Sequence, residues 1–212
     1  GTSGDTGSSG IDGVSNTTLQ ISGGSPTLSG GNTIVFNEDA GITLQDVRSV
    51  ESYDTDLEDV VFSARFADYI DPSCNVSFGI IDSSNTWQHY GDFGYDSPGY
   101  IAGNIYANNA ANYIGQFTFT LNDLFRIKVS DTKVYFYKNS LLLGSQSTTS
   151  HSYKTRFVSG SMAAGQTITI DKITLYGTGK SGTSGTSGSS GSSGSNGGNG
   201  YAVSKYYYYA NT

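Results

Sequence analysis

Three acidic side chains, Asp54, Asp56 and Glu58, alternate along the chain and are followed by Asp59. On a β-strand, residues i, i+2 and i+4 share a face, so three carboxylates would converge there. Such a group could hold calcium through its oxygens. It could also supply the acid and the nucleophile that retaining glycoside hydrolysis needs about 5–5.5 Å apart. The same residues read equally as a solvated acidic loop leading into a strand at Val60, and the apolar residues that flank a catalytic groove are missing. We read them as that loop, keep Asp54, Asp56 and Glu58 as calcium candidates, and assign no catalytic residue.

Other reactive groups are sparse. His89 and His151 are the only histidines, and neither has a partner at zinc-ligand spacing. Strict alternation places His89 on the strand face of Trp87, as a surface or half-buried structural residue. Cys74 sits among alternating apolar residues and reads as a small buried hydrophobe. No nucleophile elbow and no phosphate loop is present.

The segment from Asn85 to Tyr113 has the composition of a binding surface. Trp87, Tyr90, Phe93, Tyr95, Tyr100, Tyr106 and Tyr113 are interleaved with Asp92, Asp96, Asn104, Asn108, Asn109 and Asn112. Sugars lie flat on aromatic faces while amides and carboxylates take their hydroxyls, the polar groups giving direction. The glycan-binding candidates are Trp87, Tyr90, Asp92, Tyr95, Tyr100, Asn104 and Tyr106. Core packing and subunit contact are the competing uses of these rings.

Asn16-Thr17-Thr18 and Asn75-Val76-Ser77 match the N-glycosylation acceptor pattern. Asn75 falls in a predicted strand, so Asn16 is the better acceptor. The chain closes on Tyr206, Tyr207, Tyr208 and Tyr209, large amphipathic rings suited to an assembly anchor.

The elements that must position these groups are strands. Phe125, Ile127 and Val129 alternate with Arg126, Lys128 and Ser130. Phe117, Phe119 and Leu121 alternate with Thr118, Thr120 and Asn122, and Val60, Phe62, Ala64 and Phe66 with Val61, Ser63 and Arg65. About eleven or twelve such segments run between Gly, Asn, Asp and Ser clusters, with no convincing helical period. Many short alternating strands predict an all-β, two-sheet antiparallel sandwich over residues 14–177. With a net charge of −7 and only 14% charged residues, the chain lacks the basic footprint of a nucleic-acid binder. No apolar run reaches the ~18 residues of a membrane span.

Two tracts flank that domain. Gly1, Gly4, Gly7, Gly10 and Gly13 keep a strict period of three over residues 1–13. Gly179, Gly182, Gly185, Gly188, Gly191, Gly194, Gly197 and Gly200 keep it over residues 178–200, ahead of the Tyr-rich tail at 201–212. In a collagen triple helix only glycine fits at every third position, against the axis. The tracts therefore resemble collagen-like Gly-X-Y segments, although all three prolines lie outside them. A flexible Gly/Ser linker is the other reading. The chain opens inside a triplet, as a fragment or processed product would.

The stretch from Gly115 to Gly177 resembles the second half of a concanavalin A-like jelly roll of the lectin/laminin-G type. It carries the strands around Phe117, Leu124–Ser130 and Thr167–Tyr176, and the turn Tyr137-Lys138-Asn139-Ser140 stands where that family has Tyr-Lys-Asn-Gly. Asn139 tolerates the left-handed turn conformation. A β-sandwich between Gly-X-Y tracts also resembles the fibre and surface proteins of large DNA viruses and phage tails. This resemblance implies a non-enzymatic structural protein at the virion surface or outside the cell. Its stalks would impose a homotrimer or higher fibre, its head would meet host glycans, and it would need no cofactor beyond calcium at most. A dedicated lectin module is the alternative. A glycoside hydrolase is the lesser one: the spacing of Asp54, Asp56 and Glu58 resembles the E-x-D-x-E strand of laminarinase-type enzymes, with Asp in place of Glu at the first position.

Overall fold

The structure, a computed structural model, describes residues 18–37, 44–69, 75–97, 100–149, 151–160, 162 and 165–179. Asn16, Cys74, the glycines Gly1 to Gly13 and Gly182 to Gly200, and Tyr206 to Tyr209 lie outside the described residues.

Fifteen strands occupy the described residues, with no helix among them. In chain order they begin with β1 (Leu19–Gly23), β2 (Thr27–Ser29), β3 (Thr33–Asn37), β4 (Gln45–Ser49) and β5 (Tyr53–Asp54). Next come β6 (Glu58–Tyr69), β7 (Val76–Ile81), β8 (Trp87–Ser97), β9 (Tyr100–Ala107) and β10 (Asn112–Thr118). The last are β11 (Leu124–Ser130), β12 (Lys133–Lys138), β13 (Leu141–Ser147), β14 (Ser152–Ser159) and β15 (Thr167–Gly179). One sheet has eight strands, ordered β1-β4-β14-β7-β8-β9-β10 with β5 paired to β14. The other has seven, ordered β13-β12-β11-β6-β15-β3-β2. Neighbours are antiparallel throughout, as in β8 with β9 and β6 with β15. Non-consecutive neighbours such as β14 and β7 give the crossovers of a jelly roll.

Alternation explains the layers. In β11, Phe125, Ile127 and Val129 are buried while Arg126 and Lys128 face out. Phe62, Phe66, Phe93, Phe125 and Phe157 surround Phe78, with ring centroids 4.3 to 6.0 Å away. A ring so enclosed is worth about 3–5 kcal/mol against truncation to alanine. The turn between β12 and β13 works as its residues suggest: Asn139 takes a left-handed φ of 54°. Its side-chain oxygen accepts the Leu124 N–H at 2.9 Å, and its amide donates to Asp123 at 2.8 Å.

Away from the candidate site, four sequence readings differ from the structure. β10 ends at Thr118, so Phe119 is buried but Leu121 sits in a turn, 42% exposed, off the strand period. Asn75 precedes β7 rather than lying in a strand, and is exposed. The last strand continues past Gly177, so Gly179, the first glycine of the second tract, pairs with Glu58. Finally, strands of two or three residues such as β5 and β2 are too short to show a period, which is why the structure has more of them than the pattern indicates.

Candidate functional site

The outer face of the eight-stranded sheet carries a row of aromatic side chains. Tyr90 on β8 is the direct cross-strand partner of Tyr106 on β9, which faces Tyr113 on β10. Ring centroids are 5.2 Å apart for Tyr90 and Tyr106, stacked at 23°, and 5.7 Å apart for Tyr106 and Tyr113. Trp87 completes the row, 4.8 Å from Tyr90.

Trp87 and Tyr90 are three residues apart, a spacing that strict alternation would put on opposite faces. A bulge joins them. His89 pairs with Ile80 and Trp87 with Ile81, leaving Gln88 as the extra residue of β8. One inserted residue moves every later side chain to the other face. His89 consequently turns inward and is fully buried, rather than sharing the face of Trp87. Phe93, on the same inward parity, joins the core at 1% exposure.

Within the row each inner ring covers its neighbour, so Tyr90 and Tyr106 have little free ring face. Tyr113, 59% exposed, presents the open face. A polar row runs beside the rings: Asp92 pairs with Asn104 across the β8–β9 ladder, and Ser77 donates its hydroxyl to Asp92 at 2.8 Å. Burial first, then the Asp92 charge, then Tyr106 raise the Tyr90 phenol above its usual range. Burial, Asp92 and Tyr113 do the same to Tyr106. Both phenols are thus held as neutral donors beside a carboxylate acceptor.

Three further residues complete this face. Arg156 on β14 lies over Trp87, its guanidinium carbon 5.2 Å from the ring centroid. Asp46 on β4 takes Arg156 Nη2 at 2.7 Å and Arg48 Nη2 at 2.7 Å. Burial works against the Asp46 charge, but hydrogen bonds from Arg48 and Arg156 outweigh it and hold the carboxyl below its usual range. Asp46, Arg48 and Arg156 lack a local signature, since Asp46 and Arg156 are 110 residues apart in sequence. The backbone of Tyr95 pairs with Ile101 and that of Tyr100 with Ser97; the side chains of both tyrosines lie outside the described residues.

Asp54, Asp56 and Glu58 do not line one strand face. Asp54 ends β5 and accepts the Asp56 N–H at 2.8 Å, Asp56 is exposed in the turn, and Glu58 opens β6. Burial and the nearby Asp54 raise the Glu58 carboxyl above its usual range. A short aspartate at the start of a turn caps the backbone, and here that local bond replaces the extended strand the spacing suggests. Among the described residues, no group of three His, Cys, Asp or Glu side chains is placed to hold a metal ion.

No family model matches the chain, and no curated protein matches it. Solved structures do. The carbohydrate recognition domain of Emp47p superposes with a TM-score of 0.57 at 10% identity, covering 76% of this chain and 89% of that one. A mutant form of the Emp46p carbohydrate recognition domain gives 0.55 at 11%, with 76% and 88% covered; that domain is also known in metal-free and potassium-bound forms. The legume lectin-like domain from Entamoeba histolytica gives 0.53 at 11%, with 76% and 91% covered. At these identities the likeness establishes the fold, a concanavalin A-like jelly-roll sandwich.

Proposed function

We propose that this chain is a carbohydrate-binding head that recognises a glycan on the outer face of its eight-stranded sheet. The observation that carries this reading is the aromatic row with Asp92 and Asn104 beside it. Two neutral phenols, a carboxylate and an amide give donors and acceptors in one line for sugar hydroxyls, and Tyr113 gives an open ring for the apolar face of a pyranose. Cross-strand pairing fixes the row on rigid strands rather than loops, which lowers the ordering cost of binding.

We also infer its setting. The period-three glycines at both ends support a fibre or surface protein, at a virion surface or outside the cell, with the head carried on collagen-like stalks as a homotrimer. We read its action as attachment rather than catalysis, since a turn at Asp56 divides the three alternating carboxylates between β5 and β6.

A glycan array probed with the full chain tests the binding reading. A defined set of binders is expected, lost in Tyr113→Ala and Asp92→Ala; an array without binders overturns it. Mass photometry tests the assembly, where a stable monomer would remove the trimer.

A further inference from the structure

A concavity lies at the end of the sandwich, where β8 begins and β9 and β13 end. Its volume is about 380 Å³, and Gln88, Asn108, Asn109, Thr148, Thr149 and His151 line it. That is the small end of the range for ligand pockets. It suits one or two saccharide units.

Two features mark it as a built site. The first is rigidity. Asn108, Asn109 and Ala110 all have left-handed φ angles, of 52°, 57° and 60°. Such a run of non-glycine residues persists only where its surroundings impose it. They do so here. The Asn108 N–H donates to His89 Nδ1 at 3.4 Å, the Asn108 amide donates to the Ser147 carbonyl at 2.9 Å, and the Asn109 N–H donates to the Gln88 carbonyl at 3.1 Å. Because His89 Nδ1 accepts, the ring proton sits on Nε2, which points at the hydroxyls of Tyr153 and Thr148, each 3.1 Å away. Both hydroxyls are 3.4 Å from the Thr149 carbonyl, which takes their protons. One buried imidazole therefore fixes both walls of the cavity, the β9–β10 turn and the β13–β14 connection.

The second feature is the lining chemistry. Its side chains are amides, hydroxyls and one imidazole, with no carboxylate, lysine or arginine among the described lining residues. Amides and hydroxyls, which dominate that lining, both donate and accept and so match a polyhydroxylated ligand.

We propose that this cavity is a second saccharide subsite, taking a single neutral pyranose unit such as the end of a glycan chain. It does not depend on the aromatic face being a binding surface. His89 is its positioning residue, and Asn109 and Thr149 contact the ligand.

The test is an amide-detected NMR titration of the full chain with the methyl glycosides of glucose, mannose, galactose and N-acetylglucosamine. At least one should shift the side-chain amides of Gln88, Asn108 and Asn109 saturably while the Trp87 indole N–H stays in place. Asn109→Gly keeps the left-handed backbone and removes the amide, and should weaken that binding roughly tenfold, as loss of one hydrogen bond to the ligand does. Thr149→Ala should weaken it similarly, and this exposed position leaves the fold intact. Tyr113→Ala should leave it unchanged. Shifts at Trp87 alone would overturn the subsite and leave the aromatic-face reading standing; no shift in the lining with any of the four probes overturns it outright, as would equal affinity in wild type and both pocket variants.

Discussion

His89 Nε2 lies 3.1 Å from the Tyr153 hydroxyl, and both side chains are fully buried. Burial, then the neighbouring His151, brings the His89 imidazole down to about 3, while burial pushes the Tyr153 phenol up to about 12. The pair is therefore neutral across the physiological range, and its hydrogen bonds require that it stay so.

Acid should accordingly destabilise the fold before the carboxylates titrate. The folded imidazole sits near 3 and the unfolded one near 6.5, so the unfolded state binds the extra proton between those values. Stability is full above pH 6.5 and falls as the pH drops. Between pH 7.5 and 5 the loss should be about 2 kcal/mol. Urea denaturation across that interval measures it, and His89→Gln should flatten the slope.

Asp46 should be a stability residue as well as part of the outer face. Removing its carboxylate in Asp46→Ala leaves two half-buried guanidiniums facing each other. We expect a loss of about 1–3 kcal/mol, discounted for their partial exposure, and a change in Trp87 fluorescence as Arg156 is released. Urea denaturation followed by that fluorescence reads both.

Two strand glycines should respond oppositely to the same substitution. A Cβ on Gly79 would lie 2.4 Å from the His89 carbonyl and 2.5 Å from the Tyr90 Cα, both backbone atoms that cannot yield. Gly79→Ala should cost about 1–3 kcal/mol or more. A Cβ on Gly115 meets nothing within 4 Å, so Gly115→Ala should be neutral or stabilising by about 0.4–1 kcal/mol through the unfolded chain. Paired thermal melts decide it.

The contrast between β11 and β8 shows how far the sequence can be read. Phe125, Ile127 and Val129 alternate without interruption, and the strand follows them. In β8 the alternation is broken by Gln88, whose insertion has no compositional mark, so it hides that Tyr90 joins Trp87 and that His89 enters the core. The Tyr90–Tyr106 stack was approachable, because both residues sit in the aromatic segment. The Asp46–Arg156 clamp was not, since it depends on strand order and not on spacing. At Asp54 a single side-chain cap outweighs a plausible strand pattern.

The period-three tract gives a mechanical prediction. From Gly182 to Gly200 a triple helix would span roughly 60 Å at ~3.1 Å per residue, whereas a Gly/Ser coil would average about 24 Å. Gly188→Ala should shorten or kink the stalk in electron micrographs and open it to protease, because a methyl group does not fit at the axis. An unchanged length and resistance would identify the tract as a linker.

The claim that the aromatic row reads sugar hydroxyls is tested most directly by calorimetric titration of an array-selected oligosaccharide into wild-type protein and Tyr106→Phe. That substitution keeps the ring stack with Tyr90 and removes only the hydroxyl beside Asp92. Affinity should fall several-fold or more with the fold unchanged, the cost of one lost hydrogen bond to a ligand. Equal affinity in the two proteins, or no heat from any oligosaccharide, would contradict the account.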